Sequence, residues 1–372
     1  MINGLQIWAA AYCRSVMAFY EALAKELKIP LCILCEEIES DRFELGWNRN
    51  EFSHLNIVQA GKTLDARQKQ LMAHKDWAQW FSTYQSSPHV IPIMEMARKL
   101  GCRIAIGSEA PSNGIRPSVR RFIKSSPLFY LMLRRRIVDV VKVADFIVNY
   151  SGDESLGLQK IGWPVDKILP FGYYPPPLQG LLARKRTDKD WRQFKLLVTG
   201  RMDWRRGQDV VIDAMAILKG WGYSPEAIFT QKGELFNSLC ERAKTASLNA
   251  KFVGFVEYDR LLEYYGDCSI FIAPGRAEPW GMRINDALNA GAPLIVSRGM
   301  GGAKIVRDYR CGLTFNAGDA VDLAYQIKRL MDSRDEYLSL ADAVAGAIEE
   351  CSPQRKAQEL VQLIGKRFPE WT

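Results

Sequence analysis

Histidine is scarce in this chain. Three residues in 372, His54, His74 and His89, give no reason to expect a histidine-rich metal centre. Cysteine is present but thinly spread: eight residues between Cys13 and Cys351 do not build the dense disulfide framework of a small secreted domain, which agrees with a reducing compartment. Only Cys32 and Cys35 have metal-like spacing. They sit in "PLCILCE", which reads as a buried strand with no second CxxC or paired histidine, so a zinc or redox role is not expected of them. Long apolar runs are missing as well. The longest, "IPLCILC" and "PLFYLML", fall far short of the roughly 18 residues that cross a bilayer. The opening "MINGLQIWAAAYCR" lacks the basic start and apolar segment of a signal peptide, and a cytoplasmic address is the expectation.

With 48% hydrophobic and 25% charged residues, the composition is that of a globular protein, and disorder is not expected. The length suits two domains. A formal charge of +8 favours anionic partners such as nucleotides or phospholipid headgroups. Nucleic acid is not expected, because no recognition module accompanies the charge. The stretch "RPSVRRFIKSSPLFYLMLRRR" contains Arg116, Arg120, Arg121, Lys124, Arg134, Arg135 and Arg136, no acid, and an interleaving of Phe122, Phe129, Tyr130, Leu131 and Leu133. That mixture suits the plane of an anionic membrane. A partly buried helix pair with a solvated basic face fits it equally.

Short β-prone runs alternate with helical stretches throughout, the pattern of α/β architecture with parallel sheets. The first half reads as a helix over 15–27, a strand over 31–35, helices near 75–81 and 91–100, and strands over 103–106 and 145–148. Then comes "FGYYPPPLQGLLARKRTDKDWRQFK". Its three consecutive prolines cannot continue a helix or a central strand, and the charged stretch behind them lacks periodicity, so it reads as a linker. The alternation restarts with strand "FKLLVTG" and continues through "SIFIAP", a helix over 282–290 and strand "PLIVS" to a helix over 321–331. The expected division is a first domain over 1–174, a linker over 175–192, a second domain over 193–350 and a terminal segment over 351–372. Two such halves imply a cleft, and open parallel sheets bind ligands beyond the carboxyl ends of their strands.

Three loops of the second half look specialised. "VTGRMDWRRGQDV" puts Arg201, Arg205 and Arg206 between a strand end and a helix start, where guanidiniums and backbone N–H groups suit a phosphate; a solvated turn would explain the arginines too. "IFIAPGRAEPWGMRINDALNAG" places the N–H groups of Gly281, Met282 and Arg283 at the positive end of a helix dipole. Glu278 and Asp286 flank that turn. They read either as acceptors of ligand hydroxyls beside an anion, or as a capping carboxylate and a surface charge. In "VSRGMGGAKIV" glycines again precede a helix and permit close backbone approach. Three anion-friendly turns on one edge describe a nucleoside-diphosphate pocket.

In this order the residues resemble the retaining glycosyltransferases of family 4, enzymes of the GT-B fold. The likeness runs through "VTGRMDWRRGQDVVIDAM", "AKFVGFVEYDRLLEYYGDCSIFIAPGRAEPWGMRINDALNAGAPLIVSRGMGGAKIVRDYRCGLTF" and "GDAVDLAYQIKRLM", and more weakly through "VADFIVNYSGDESLGLQKIGWPVDKILPFGYY". The family motif, two glutamates with seven residues between them, falls on Glu278 and Asp286. The resemblance implies an α/β, GT-B architecture: two Rossmann-like domains with parallel sheets facing a central cleft, the first binding acceptor and the second a nucleotide-sugar donor. "SPQRKAQELVQLIGKRFPEW" would be the helix that crosses back to the first domain.

By position, the resemblance assigns Arg201 and Arg206 to the donor diphosphate and Glu278 to hydroxyls of the transferred sugar. The backbone of Gly281, Met282, Arg283 and Ile284 would lie over sugar and phosphates, Pro279 and Trp280 would also belong to the donor site, and Arg283 and Trp280 sit where donor selectivity could be set. Asp286 would take the ribose hydroxyls with a side chain one methylene shorter than the family's. The family's amino-terminal glycine pair is absent from "IWAAAYCRS". A first-domain histidine is replaced near Tyr84 or Gln85, candidate contacts to donor sugar or acceptor, and a second falls near Glu109, which is thereby counted with Arg201, Arg206 and Glu278 among the catalytic candidates. The implied activity is sugar transfer with retention to a hydroxyl of a glycan or lipid-linked acceptor in bacterial cell-surface polysaccharide or lipopolysaccharide synthesis. It needs no metal or other cofactor and is carried out in the cytoplasm, or peripherally on the cytoplasmic face of the inner membrane. A non-catalytic nucleotide-sugar-binding or scaffold protein of the same fold is the alternative. Under the leading reading, Arg206→Ala and Glu278→Ala are expected to fold normally and lose turnover.

Overall fold

The computed structural model describes residues 2–38, 51–82, 87–111, 127–153, 155–181 and 183–372. They divide into two units. The first contains β1 (Leu5–Ala11), α1 (Arg14–Leu27), β2 (Leu31–Glu37), β3 (Ile57–Gln59), α2 (Leu64–Met72), β4 (Ala78–Phe81), α3 (Val90–Lys99), β5 (Ile104–Ser108), α4 (Pro127–Val143), β6 (Phe146–Asn149), α5 (Leu156–Lys160) and β7 (Ile168–Pro170). The second runs from residue 177 to 351. It contains α6 (Asp188–Gln193), β8 (Lys195–Val198), α7 (Gln208–Gly220), β9 (Glu226–Thr230), α8 (Phe236–Thr245), β10 (Ala250–Gly254) and α9 (Tyr258–Asp267). It continues with β11 (Ile270–Ala273), α10 (Arg283–Asn289), β12 (Leu294–Ser297), α11 (Ala303–Tyr309), β13 (Gly312–Phe315), α12 (Ala320–Asp332) and α13 (Arg334–Glu350). The last helix, α14 (Pro353–Arg367), belongs to the first unit.

The first sheet has the order β3-β2-β1-β4-β5-β6-β7 and the second β10-β9-β8-β11-β12-β13. Every neighbouring pair is parallel. Parallel strands are covered on both faces, so they read as unbroken apolar runs; all four residues of β4, β6, β11 and β12 are buried. In the second sheet the strand order reverses between β8 and β11, which lie side by side. Their outgoing chains must diverge there and leave a crevice at the carboxyl ends. The arginine loop leaves β8 and the Glu278 loop leaves β11.

Two expectations are corrected. Residues 75–81, read as helical, contain β4, whose "AQWF" is too short and too uniformly apolar to carry a period that tells strand from helix. Residues 183–192, read as linker, are tied into the second unit. Thr187 and Asp190 form a capping box at the start of α6, satisfying two orphan backbone donors reciprocally. Arg186 is fully buried and donates to the carbonyls of Arg184, Tyr265, Cys268 and Ala290.

In the first unit, α14 packs on α1. Ser352 caps it by accepting from Arg355 N–H, and Ala357, Leu360 and Ile364 form its buried face. Just beyond it the rings of Phe368 and Trp371 each lie 4.8 Å from Phe146, and Trp371 Nε1 donates to Asp145 Oδ2 at 3.2 Å.

Candidate functional site

The loop after β8 is shaped by its two glycines. Gly200 has φ +103° and Gly207 φ +74°, left-handed values that favour glycine. A Cβ at Gly207 would come within 2.1 Å of Pro274 O, and one at Gly200 within 2.0 Å of Arg283 Nη1. The buried Gln208 donates from Nε2 to the carbonyls of Gly200 and Arg201, both at 3.0 Å, and fixes the loop on the start of α7. Arg206 N–H donates to Asp203 Oδ1 at 3.0 Å. Arg201 stands exposed at the loop's outer edge, and Arg205 is half-buried.

Arg276, in the loop after β11, braces these arginines. It makes a forked pair with Asp209 at 2.7 and 2.8 Å, donates to Trp204 O at 2.8 Å, and lies over the Trp204 ring at 5.2 Å. Its own N–H donates to Arg205 O.

Glu278 is buried at 8% exposure. Its Oε1 accepts from Arg206 Nη1 and its Oε2 from Arg283 Nη2, the latter at 2.8 Å. Arg283 Nη1 donates to Thr199 O at 2.8 Å. Two guanidiniums meet one carboxylate, and the Nε of each is buried without a partner among the described residues. Burial depresses the Arg283 pKa; Glu278 opposes that and Arg206 adds to it.

Gly281 follows, at φ +100°, where a Cβ would meet Met300 Cε at 2.3 Å. No backbone carbonyl among the described residues accepts from the N–H groups of Gly281, Met282 or Arg283. Asp286 is half-buried in the first turn of α10. Burial first, and then the charge of Asp286, push the Tyr265 hydroxyl well above its ordinary value; that hydroxyl lies 3.3 Å from Thr199 Oγ1. Thus Glu278 and Asp286 flank one turn, and Arg206 stands against Glu278.

Several sequence-derived roles change. Trp280 does not offer its ring to a ligand: it is 1% exposed, with Nε1 bonded to Asn285 Oδ1 at 2.8 Å, because a large indole gains more from burial than from lining a wet turn. Arg283 likewise points inward, and Ile284 is buried with its N–H donated to Gly281 O. Pro279 is half-buried.

The third glycine loop is not an anion cradle either. Gly299 N–H donates to Ser297 Oγ and Met300 N–H to Ser297 O, while Gly301 and Gly302 donate to the carbonyls of Glu278 and Trp280. With these donors occupied, the loop serves to hold the Glu278 segment in place. A Cβ at Gly302 would lie 2.9 Å from Trp280 O.

In the first unit, Glu109 is exposed just after β5 and accepts from Tyr173 Oη at 3.2 Å. Burial raises Tyr173 well above its ordinary value, and the Glu109 charge adds to the shift. Arg134, Arg135 and Arg136 are exposed on α4, alongside the exposed apolar side chains of Leu128, Leu131 and Met132. Tyr84, Gln85, Arg116, Arg120, Arg121 and Lys124 lie outside the described residues. Among the described residues no helix is long and apolar enough to cross a membrane.

Sequence reasoning missed Arg276 and the buried role of Arg283. Arg276 stands two residues before Glu278, but its partner Asp209 lies 67 residues away, and no local pattern links them.

Residues 182–345 match the sequence model of the glycosyl transferases group 1. The chain is 30% identical over 114 residues to a mannosylfructose-phosphate synthase of Agrobacterium fabrum, covering 27% of this chain and 25% of that protein. It is 27% identical over 175 residues to a glycogen synthase of Thermodesulfovibrio yellowstonii, covering 45% of this chain and 35% of that one. The chain thus spans about a quarter to a third of these curated relatives. Among solved structures, Anabaena Alr3699/HepE in complex with UDP superposes with a TM-score of 0.70 at 14% identity, covering 98% of this chain and all of that one. WaaG, a glycosyltransferase involved in lipopolysaccharide biosynthesis, gives a TM-score of 0.60 at 14% identity, with 97% and 99% covered. The fold is GT-B.

Proposed function

We propose that this chain, whose residues 182–345 match the glycosyl transferases group 1, moves a sugar from a nucleoside-diphosphate donor to a hydroxyl of a glycan or lipid-linked acceptor, with retention of anomeric configuration. The observation that carries the reading is the cluster of Arg206, Glu278 and Arg283 where β8 and β11 release their loops, beside the N–H groups of Gly281, Met282 and Arg283, from which no backbone carbonyl among the described residues accepts.

Breaking the anomeric C–O bond sends its electron pair to the β-phosphate oxygen, while positive charge grows on the sugar ring. Arg201, Arg206 and the Gly281 turn stabilise the phosphate charge, the kind of term that contributes most in such sites. The guanidiniums supply the positive charge that a metal would otherwise bring, so no metal or other cofactor is required. Glu278 orients sugar hydroxyls and Asp286 accepts from the ribose. The acceptor oxygen bonds to the anomeric carbon from the face the phosphate leaves, and its proton passes to a phosphate oxygen. A uridine nucleotide is the first donor to try, since the HepE structure of the same fold holds UDP.

The likeness to WaaG supports a place in lipopolysaccharide or surface-polysaccharide synthesis. The exposed Leu128, Leu131 and Met132 beside Arg134, Arg135 and Arg136 support peripheral docking on an anionic membrane, apolar side chains entering the interface and guanidiniums meeting phosphates.

The test is a screen of UDP-, GDP- and ADP-sugars for release of nucleoside diphosphate. Release from one class, abolished by Arg206→Ala, supports the function. Tight nucleotide binding with no release from any donor would favour a non-catalytic binding protein.

A further inference from the structure

Glu278 is held by two cations that are not equivalent. Arg206 lies on a loop and keeps 26% of its side chain exposed. Arg283 begins α10, is 9% exposed, and is anchored by Nη1 to Thr199 O. Arg206 therefore has water and any nearby anion as alternatives. Arg283 has none. The fold makes room for it: Gly200, at φ +103°, leaves open the space where a side chain would strike the guanidinium.

A diphosphate offers Arg206 charge-assisted, forked hydrogen bonds and so competes with Glu278 for it. When Arg206 turns to phosphate, Oε1 of Glu278 becomes an acceptor for a sugar hydroxyl. A buried carboxylate stripped of every cation would be strongly disfavoured. The bond from Arg283 to Oε2 prevents that and keeps the carboxylate aimed.

We infer that Arg283 is a positioning residue, the permanent anchor of Glu278, whereas Arg206 is the exchangeable one. This rests on the proposed function, in which Arg206 meets the diphosphate and Glu278 the transferred sugar. A lysine would replace the anchor only in part, because a single ammonium lacks the planar fork that reaches Thr199 O and Glu278 together.

The experiment is a double-variant cycle. Nucleoside diphosphate release is measured from UDP-glucose, UDP-galactose, GDP-mannose and ADP-glucose, and the cycle uses the donor that the wild-type chain turns over fastest. Glu278→Gln and Arg283→Met should each lower kcat by about 100-fold or more while leaving KM for the donor within about threefold. Because Arg283 acts through Glu278, the double variant should fall no more than about threefold below the worse single variant. Arg283→Lys should recover roughly tenfold of the loss. Arg206→Ala should instead raise the donor KM as well as lower kcat.

Losses that multiply in the double variant, or turnover by Arg283→Met within about threefold of wild type, overturn the inference and leave the function standing. Unchanged turnover by Glu278→Gln, or no release from any of the four donors, overturns the function itself. Should Arg283→Met fail to fold, Arg283→Lys decides: a lowered kcat at constant KM supports the anchor, and an unchanged kcat refutes it.

Discussion

Replacing Glu278 with alanine should cost stability as well as activity. The carboxylate is 8% exposed and bonds Arg283, itself 8% exposed, so truncation leaves a buried guanidinium without its counter-ion. Breaking a buried pair from one side costs about 3–5 kcal/mol. Here Arg283 keeps its bond to Thr199 O, and Arg206 is exposed enough to rehydrate, which places the cost near the lower end, about 3 kcal/mol. At roughly 2–4 °C per kcal/mol for a unit of this size, its transition should fall by about 6–12 °C. Two units need not melt together, so calorimetry resolving both transitions is the assay, and only the one belonging to residues 177–351 should move. Arg206→Ala leaves Glu278 paired with Arg283 and should cost only about 1 kcal/mol. Glu278→Ala combined with Arg283→Met removes both charges and should regain most of the loss. Melting of Glu278→Ala within about 2 °C of wild type, or a larger shift for Arg206→Ala, would refute the reasoning.

Other perturbations separate the parts. Gly281→Ala adds a Cβ at φ +100° against Met300; it should cost about 1–3 kcal/mol of stability and weaken nucleotide binding, read by thermal unfolding and titration calorimetry with UDP. Burial would raise the Asp190 carboxyl, but Arg184 and the Thr187 N–H outweigh it and hold the pKa below its ordinary value. A depressed carboxyl stabilises the fold above the unfolded-state pKa and loses that contribution as pH falls through the folded one. Asp190→Asn should therefore be less stable than wild type at pH 7, with the gap closing as pH falls below the ordinary carboxylate range in denaturant titrations. The full chain should float with liposomes containing acidic phospholipid, less so at higher salt, and Arg134→Glu with Arg135→Glu should weaken this; equal recovery with neutral lipid would count against α4 as a membrane face.

The sequence made legible what has a local signature. Apolar runs marked most strands, the turn from Glu278 to Asp286 stood out by its spacing, and Arg206 by its place after a strand. What it hid depends on residues far apart in the chain. Thr199 O and Glu278 turn Arg283 inward, from 84 and 5 positions away, so the same "GMRIN" that reads as a ligand-facing turn buries its arginine. The glycines of "RGMGG" have the composition of an anion cradle, yet the N–H of Gly299 is taken by Ser297 Oγ and those of Gly301 and Gly302 by carbonyls of the neighbouring loop, the latter pairing visible only once β11 and β12 lie side by side. "AQWF" lacked a period because both its faces are covered.

The assignment of α14 and Trp371 to the first unit also has a consequence for how the chain is made. Residues 177–351 are made before α14 and Trp371, so the earlier-made unit lacks the segment that packs on α1 and covers Phe146 until that segment has been synthesised. At about 5–20 residues per second, some 10–40 s separate the emergence of Pro176 from that of Trp371. During that interval the faces of α1 and Phe146 that this segment will cover stay exposed, so the unit begun first is completed after the second and has the longer exposure to aggregation.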